Sequence, residues 1–524
     1  MKRKLFLFFL ALAATLCIAF ALPACVSSEK SNAPFIGSDG LEYTISDDGT
    51  YCIVSGMGTN FQTDIIIPSI CNNLPVKEIG DEAFQSYSLT SISIPNSITL
   101  IGDRAFRYCD SITSITIPDS ITFIGESAFF LCSALTSVHI TDIAAWCKIK
   151  FEDESSNPLY YANDLYLNGK LVSELKIPDS VRSIGNLAFI NSSSITSIII
   201  PDSVTSIGNS AFSGCTALIG LTIPDSVISI GNGAFSRCSS LASIPIPNSL
   251  TFIGDGAFTG CSALTSITIP DTITHINNSV FFGCFSLTDI VISDSVTSIG
   301  NHAFTNCSSL TNVTIPNSIT HIGDYAFETS GLTSVIIPDS ITSIGDYTFA
   351  SCISLTNVTI PDSVTSIGDY AFGSCTSLTK VNIGDNVTYI GDQAFLGCSA
   401  LTSLTIPDSV TSIGEYTFSS CTSLTIVDIG DNVTCIGDLA FVYCSTLKSI
   451  IIPKSVTRIS ESAFADCNSL ESVYFTGTAK DWNNIDIGLN NTYLTEATIY
   501  YYSESQPTEE GDYWHYVDGV PTVW

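Results

Sequence analysis

Apolar residues recur along most of this chain in one fixed order, and the stretch Leu355 to Ser377, LTNVTIPDSVTSIGDYAFGSCTS, shows it whole. Its apolar positions are Leu355, Val358, Ile360, Val364, Ile367, Ala371, Phe372 and Cys375. Leu-x-x-Val-x-Ile alternates inward and outward as a short strand does, and Pro361 removes a backbone donor and so ends it. Val364 to Ile367 predicts a second short extended piece. Gly368 then permits a tight bend, and Asp369 is expected to cap the turn holding Ala371 and Phe372 by accepting from its free amides.

The same phase repeats from Phe84 to Phe464. Taking the Phe as marker, successive copies lie 23 residues apart, except for two intervals of 22 and one of 60, between Phe129 and Phe189. No unit of that length buries its own apolar face, so each coil must be covered by its neighbours, which is the condition of a solenoid. The pattern predicts one elongated, β-rich solenoid of about 16 coils with period 23. Each coil is expected to hold one short strand of a parallel sheet plus a turn or short helical segment, with caps at both ends.

The pattern Leu-x-x-Ile-x-Ile-Pro-x-Ser-Val-x-x-Ile-Gly-x-x-Ala-Phe-x-x-Cys resembles the BspA-like class of bacterial leucine-rich repeats over roughly residues 60 to 475. The resemblance implies a secreted or surface-displayed solenoid. Some members of that class are adhesins that bind host matrix proteins, and many have no assigned ligand.

The ends depart from the repeat. Lys2, Arg3 and Lys4 precede the almost wholly apolar Leu5 to Ala21, which reads as a signal peptide over 1–24 and predicts export. Leu22-Pro23-Ala24-Cys25 resembles a lipobox, in which Cys25 would be lipidated and followed by a polar tether, 25–34. Pro23 is unusual in such a box, and plain cleavage after Ala21 or Ala24, or retention as an anchor, are the competing readings. Residues 35–66 alternate around Asp47-Asp48-Gly49 and predict a hairpin that caps the first coil, whose open strand edges would otherwise aggregate. The array proper is assigned to 67–472, with a divergent, Trp-containing insertion at about 138–175, and 473–524 is read as a divergent last coil and an aromatic cap. Trp146, Ile149 and Phe151 correspond in spacing to Trp482, Ile485 and Ile487, so the insertion and the last coil are expected to be of one type.

Charge narrows the partners. Lys and Arg total 18 against 50 Asp and Glu, a formal charge of -32. Loss of residues 1–24 would remove three cations and no acid, giving -35. Nucleic acid and anionic membrane surfaces would be repelled, so membrane association is expected only through a lipid at Cys25. The same charge keeps a Ser/Thr-rich monomer soluble.

Two fixed phases invite chemistry. The residue three before the marker is Asp, Asn or Glu in every coil, and free exchange of Asp with Asn favours capping over calcium. Thirteen of the 19 cysteines lie three residues after the marker. They are read as an inward ladder of free thiols, although coils roughly 5 Å apart also admit disulfides. No metal or other cofactor is expected, since Cys-x-x-Cys pairs and His clusters are missing, and no nucleophile, base or phosphate-loop signature points to an enzyme.

One phase varies. Two before the marker stand Ser210, Gly233, Gly256, Ser279 and His302, then Tyr325, Tyr347, Tyr370, Gln393 and Tyr416. At about 4.8 Å per coil these tyrosines would form an aromatic strip about 20 Å long, suited to a protein or glycan ligand. Self-stacking for stability is the competing use. Tyr160 and Tyr161, in the insertion, are the second candidate ligand site. The function expected is therefore adhesin-like binding at the cell surface, against a passive envelope spacer.

Overall fold

A computed structural model describes residues 34–508 and 510–524. The signal-peptide and Cys25 readings lie outside the described residues. Each regular coil is a flattened loop with three sides. Asn357–Thr359 pairs in parallel with Ser334–Ile336 before it and Lys380–Asn382 after it, forming one sheet. Ser366–Ile367 pairs likewise with Ser343–Ile344 and Tyr389–Ile390, forming a second. A coil thus contributes two strands, the second being the short extended piece expected over Val364 to Ile367. Pro361 sits between them, and its carbonyl accepts from the Val364 amide at 3.0 Å, turning the chain from one sheet to the other.

The third side contains no helix. In all sixteen marker coils the residues two before and two after the Phe have positive φ, as at Tyr325 (61°) and Thr329 (54°) or Tyr370 (54°) and Ser374 (60°). These left-handed residues alternate the direction of the backbone amides. Tyr325, Phe327 and Thr329 donate forward to Asp346, Thr348 and Ala350 of the next coil, while Ala326, Glu328 and Ser330 donate within their own turn. Either way the backbone groups of the turn are paired, so no helix is required to satisfy them. Among the described residues, α-helix is confined to Ile143–Trp146, Leu159–Ala162, Ala479–Trp482 and Thr492–Glu496.

All eight apolar positions of Leu355 to Cys375 are at most 2% exposed. The marker rings stack in register through the core, with centroids 5.5 Å apart for Phe84 and Phe106 and 5.4 Å for Phe349 and Phe372. Gly368 serves a close approach rather than a bend. Its φ is not positive, and a Cβ there would come 2.5 Å from Asp346 Oδ1 and 2.7 Å from the Asp346 nitrogen.

The insertion is one enlarged coil. Its third side lies between the Phe129 and Phe189 turns, with the Phe129 amide donating to Ser155 O (3.0 Å) and Asn191 Nδ2 to Tyr160 O (2.9 Å). Trp146 is buried and donates to Ala188 O. The last coil shares the short helix, Ala479–Trp482, but Trp482 is only partly buried, and Asn491 Nδ2 donates back to Ser460 O where Asn157 Nδ2 donates forward to Leu187 O, both at 2.8 Å.

At the N-terminal end Glu42–Ile45 and Cys52–Gly56 form an antiparallel pair, and Cys52–Gly56 joins Leu74–Ile79 in parallel. At the other end Tyr513–Val517 extends the first sheet and turns back antiparallel as Val520–Val523. Trp514 is fully buried and donates to Phe475 O at 3.0 Å. Ile451 points outward in the row Asp428, Ile451, Tyr474, yet it is buried, because the tail covers this face.

Candidate functional site

The sixteen left-handed positions before the marker form one line along the edge where the second sheet meets the turns. On that line His302, Tyr325, Tyr347 and Tyr370 stack face to face, with successive centroids 4.6, 4.6 and 4.9 Å apart and planes within 24°. His302 belongs to this ladder by its phase alone, but residue type kept it out of the tyrosine strip. Gln393 interrupts the stack. Tyr416 stands one coil beyond it, on the same line but outside the stack.

Stacking decides what the strip presents. Tyr325 and Tyr347 have both faces covered by neighbouring rings, so they offer edges and hydroxyls; Tyr370 has one face turned toward the Gln393 gap. Tyr370 is held over the backbone, since a Cβ at Gly373 would lie 2.4 Å from its ring, and its hydroxyl is 2.6 Å from Ser374 Oγ. Burial raises the Tyr325 hydroxyl, with Tyr347 adding to the effect. Burial also raises Glu328, and nearby His302 partly opposes it.

The carboxylates beside this line do not cap their own turns as expected. Asp346 Oδ1 accepts the Asp369 amide (2.8 Å) and Asp369 Oδ1 the Asp392 amide (2.9 Å), each one coil ahead. Asn186 and Asn209 do the same for Asn209 and Asn232, which explains why amide and acid interchange: only the Oδ1 acceptor is used. The phase is structural, and no grouping of His, Cys, Asp and Glu among the described residues could hold a metal ion.

The ladder cysteines are equally committed. Cys215 Sγ lies 3.3 Å from Phe189 O and Cys375 Sγ 3.2 Å from Phe349 O, each one coil back. Burial pushes the Cys215 thiol up to about 12. Such thiols are poor nucleophiles and poor metal ligands.

Tyr160 and Tyr161 lie apart from the strip, on the Leu159–Ala162 turn of helix. Their rings meet edge to face at 5.1 Å, and both are partly buried against the core. A surface cavity of about 650 Å3 opens where the insertion meets the regular coils, lined by Lys148, Lys150, Ser183, Ser206, Ser229 and Phe252 among others; neither tyrosine reaches it.

Parallel coils, a Phe spine and Asn/Asp inter-coil bonds define a leucine-rich repeat solenoid. The BspA type leucine rich repeat region, in six copies, matches residues 60–155, 162–287, 274–402 and 365–493, and the chain belongs to that family. It is similar to a leucine-rich repeat protein from Bacteroides ovatus, with 27% identity and a TM-score of 0.56, over 88% of this chain and 98% of that one. A leucine rich cell surface protein from Faecalibacterium prausnitzii is 28% identical over 87% of this chain and 98% of its own, with a TM-score of 0.34. No curated protein matches.

Proposed function

We propose that this chain is an exported binding protein, adhesin-like, that recognises a protein or glycan along the edge carrying His302, Tyr325, Tyr347, Tyr370, Gln393 and Tyr416. It holds its ligand without chemical change. The carrying observation is where the tyrosines stand. Each has positive φ, between 53° and 61°, at a position that other coils fill with Gly233 or Gly256. A bulky residue in the left-handed region costs roughly 1 kcal/mol against glycine. Ring stacking offsets about that much and no more. The tyrosines therefore gain the fold little, and an accessible row of hydroxyls and ring edges is what they add. Export and surface display rest on the basic and apolar N-terminus and on the family, with Cys25 as the proposed lipid anchor. Tyr160 and Tyr161 are the alternative ligand site.

A screen of the chain lacking residues 1–24 against immobilised matrix proteins and glycans tests this reading. A ligand bound by the wild type and lost when Tyr325, Tyr347, Tyr370 and Tyr416 are all changed to Ser supports it. Ser is chosen because Ser210 and Ser279 already occupy the phase. Failure to bind any ligand would favour the passive envelope spacer, and undiminished binding by the variant would move the site to the insertion.

A further inference from the structure

Two cysteines stand outside the ladder and face each other. Cys52 lies opposite Val76, and Cys71 lies opposite Leu74 on the same strand, Leu74–Ile79. Paired residues of neighbouring strands project to the same side, and Leu74 and Val76, two apart, share a face. Both thiols are therefore delivered to the inner side of the first coil. Cys52 Sγ is 3.2 Å from the Cys71 carbonyl oxygen, although the two residues are 19 apart in sequence. The hairpin Ile70–Cys71 and Leu74–Ile79 turns at Asn72 and Asn73, with φ of 50° and 61°, which fixes the direction of Cys71.

The pair differs from the ladder in access. Cys375 is fully buried, and its thiol donates to a marker carbonyl one coil back. Cys71 instead is 9% exposed and borders a surface cavity of about 610 Å3 between Phe35–Ile36 and Pro68, with the fully buried Cys52 against it. The cavity is the route by which a disulfide reagent would meet Cys71, and Cys52 is placed to resolve the product.

We propose that Cys52 and Cys71 form a disulfide, by exchange with an incoming small-molecule or protein disulfide, that joins the N-terminal hairpin to the first coil. The Cys71 thiolate attacks one sulfur of R–S–S–R, and the displaced RS⁻ takes up the proton that Cys71 gave away. The Cys52 thiolate then attacks Cys71 Sγ, and the second RS⁻ leaves and is protonated in turn. Two protein thiols are oxidised and one external disulfide is reduced to two thiols. The bond ties the hairpin that covers one end of the stack to the coil beneath it. Burial pushes Cys71 up to about 11, so the exchange is slow at neutral pH.

The test incubates the reduced, folded full-length chain with oxidised glutathione, then unfolds, alkylates and digests it without reductant. The expected product is one cross-linked peptide pair, Cys52 with Cys71, lighter by two hydrogens, with the ladder cysteines alkylated. Cys52→Ser should leave glutathione on Cys71 as a lasting mixed disulfide. Oxidation should raise the melting midpoint of the wild type and leave Cys71→Ala unmoved. Recovery of both cysteines alkylated in the wild type, or ladder disulfides forming before this one, would overturn the proposal.

Discussion

The Asp392 amide donates to Oδ1 of Asp369 at 2.9 Å across the joint between two coils, and the same bond recurs along the array. It ties neighbouring coils together on the side away from the proline corner, and this backbone bond needs only an Oδ1 acceptor, which asparagine also supplies.

Asp369→Asn should therefore leave stability within about 0.5 kcal/mol of wild type, whereas Asp369→Ala strands an amide and should cost roughly 1 kcal/mol. Denaturant midpoints measured on the full chain separate the two. Equal losses for both variants would show that the charge, not the acceptor, matters.

Much of this was legible in the sequence, and what escaped it has a physical cause. Period and burial pattern follow from Leu355 to Cys375 because each apolar position repeats in register. The left-handed turns do not announce themselves: Glu82 (57°), Arg104 (55°), Leu187 (62°) and Tyr370 (54°) share positive φ without sharing chemistry, since inter-coil hydrogen bonds impose it. Asp369 looks like a local cap because sequence shows near neighbours, while its partner lies 23 residues away. His302 does not stand out in the sequence, because a ring ladder is a property of position that only stacking distances reveal.

Backbone conformation gives a second prediction. Gln393 has φ of 59°. Gln393→Gly should be neutral or stabilising by up to about 1 kcal/mol, and Gln393→Val, β-branched in the left-handed region, should lose more than about 1 kcal/mol. Thermal melting of the two variants checks the order, and the reverse order would refute the assignment.

Asp428 gives one pH dependence. Burial raises its carboxyl, with Asp431 and Asp408 adding to it. A carboxyl raised on folding opposes the native state once ionised, so this cost is absent below the ordinary carboxylate range and full above the raised value. Asp428→Asn should raise the melting temperature at neutral pH, and the gain should vanish in acid. The neighbouring Tyr516, raised to about 12 first by burial and then by Asp428, adds a loss of stability as pH climbs from about 10 toward that value.

Thiol access follows from the ladder geometry. Among the described cysteines outside the Cys52 and Cys71 pair, Cys435 is the partly exposed one. Alkylation of the native chain should label Cys435 well before Cys215, Cys375 or Cys421, and unfolding without reductant should release the ladder thiols for labelling. Comparable native labelling of the ladder would contradict its burial.

The central claim, that the ring ladder is the binding edge, is met most directly by one equilibrium titration of three chains with a ligand from the screen. Changing Tyr325, Tyr347, Tyr370 and Tyr416 to Ser removes four contacts worth about 1 kcal/mol each, so affinity should fall more than roughly a hundredfold even with poor additivity, while the far-UV spectrum holds. Gln393→Tyr closes the gap between Tyr370 and Tyr416, and affinity should rise by several-fold, about what one added aromatic contact supplies. Unchanged affinity in both variants would contradict the account.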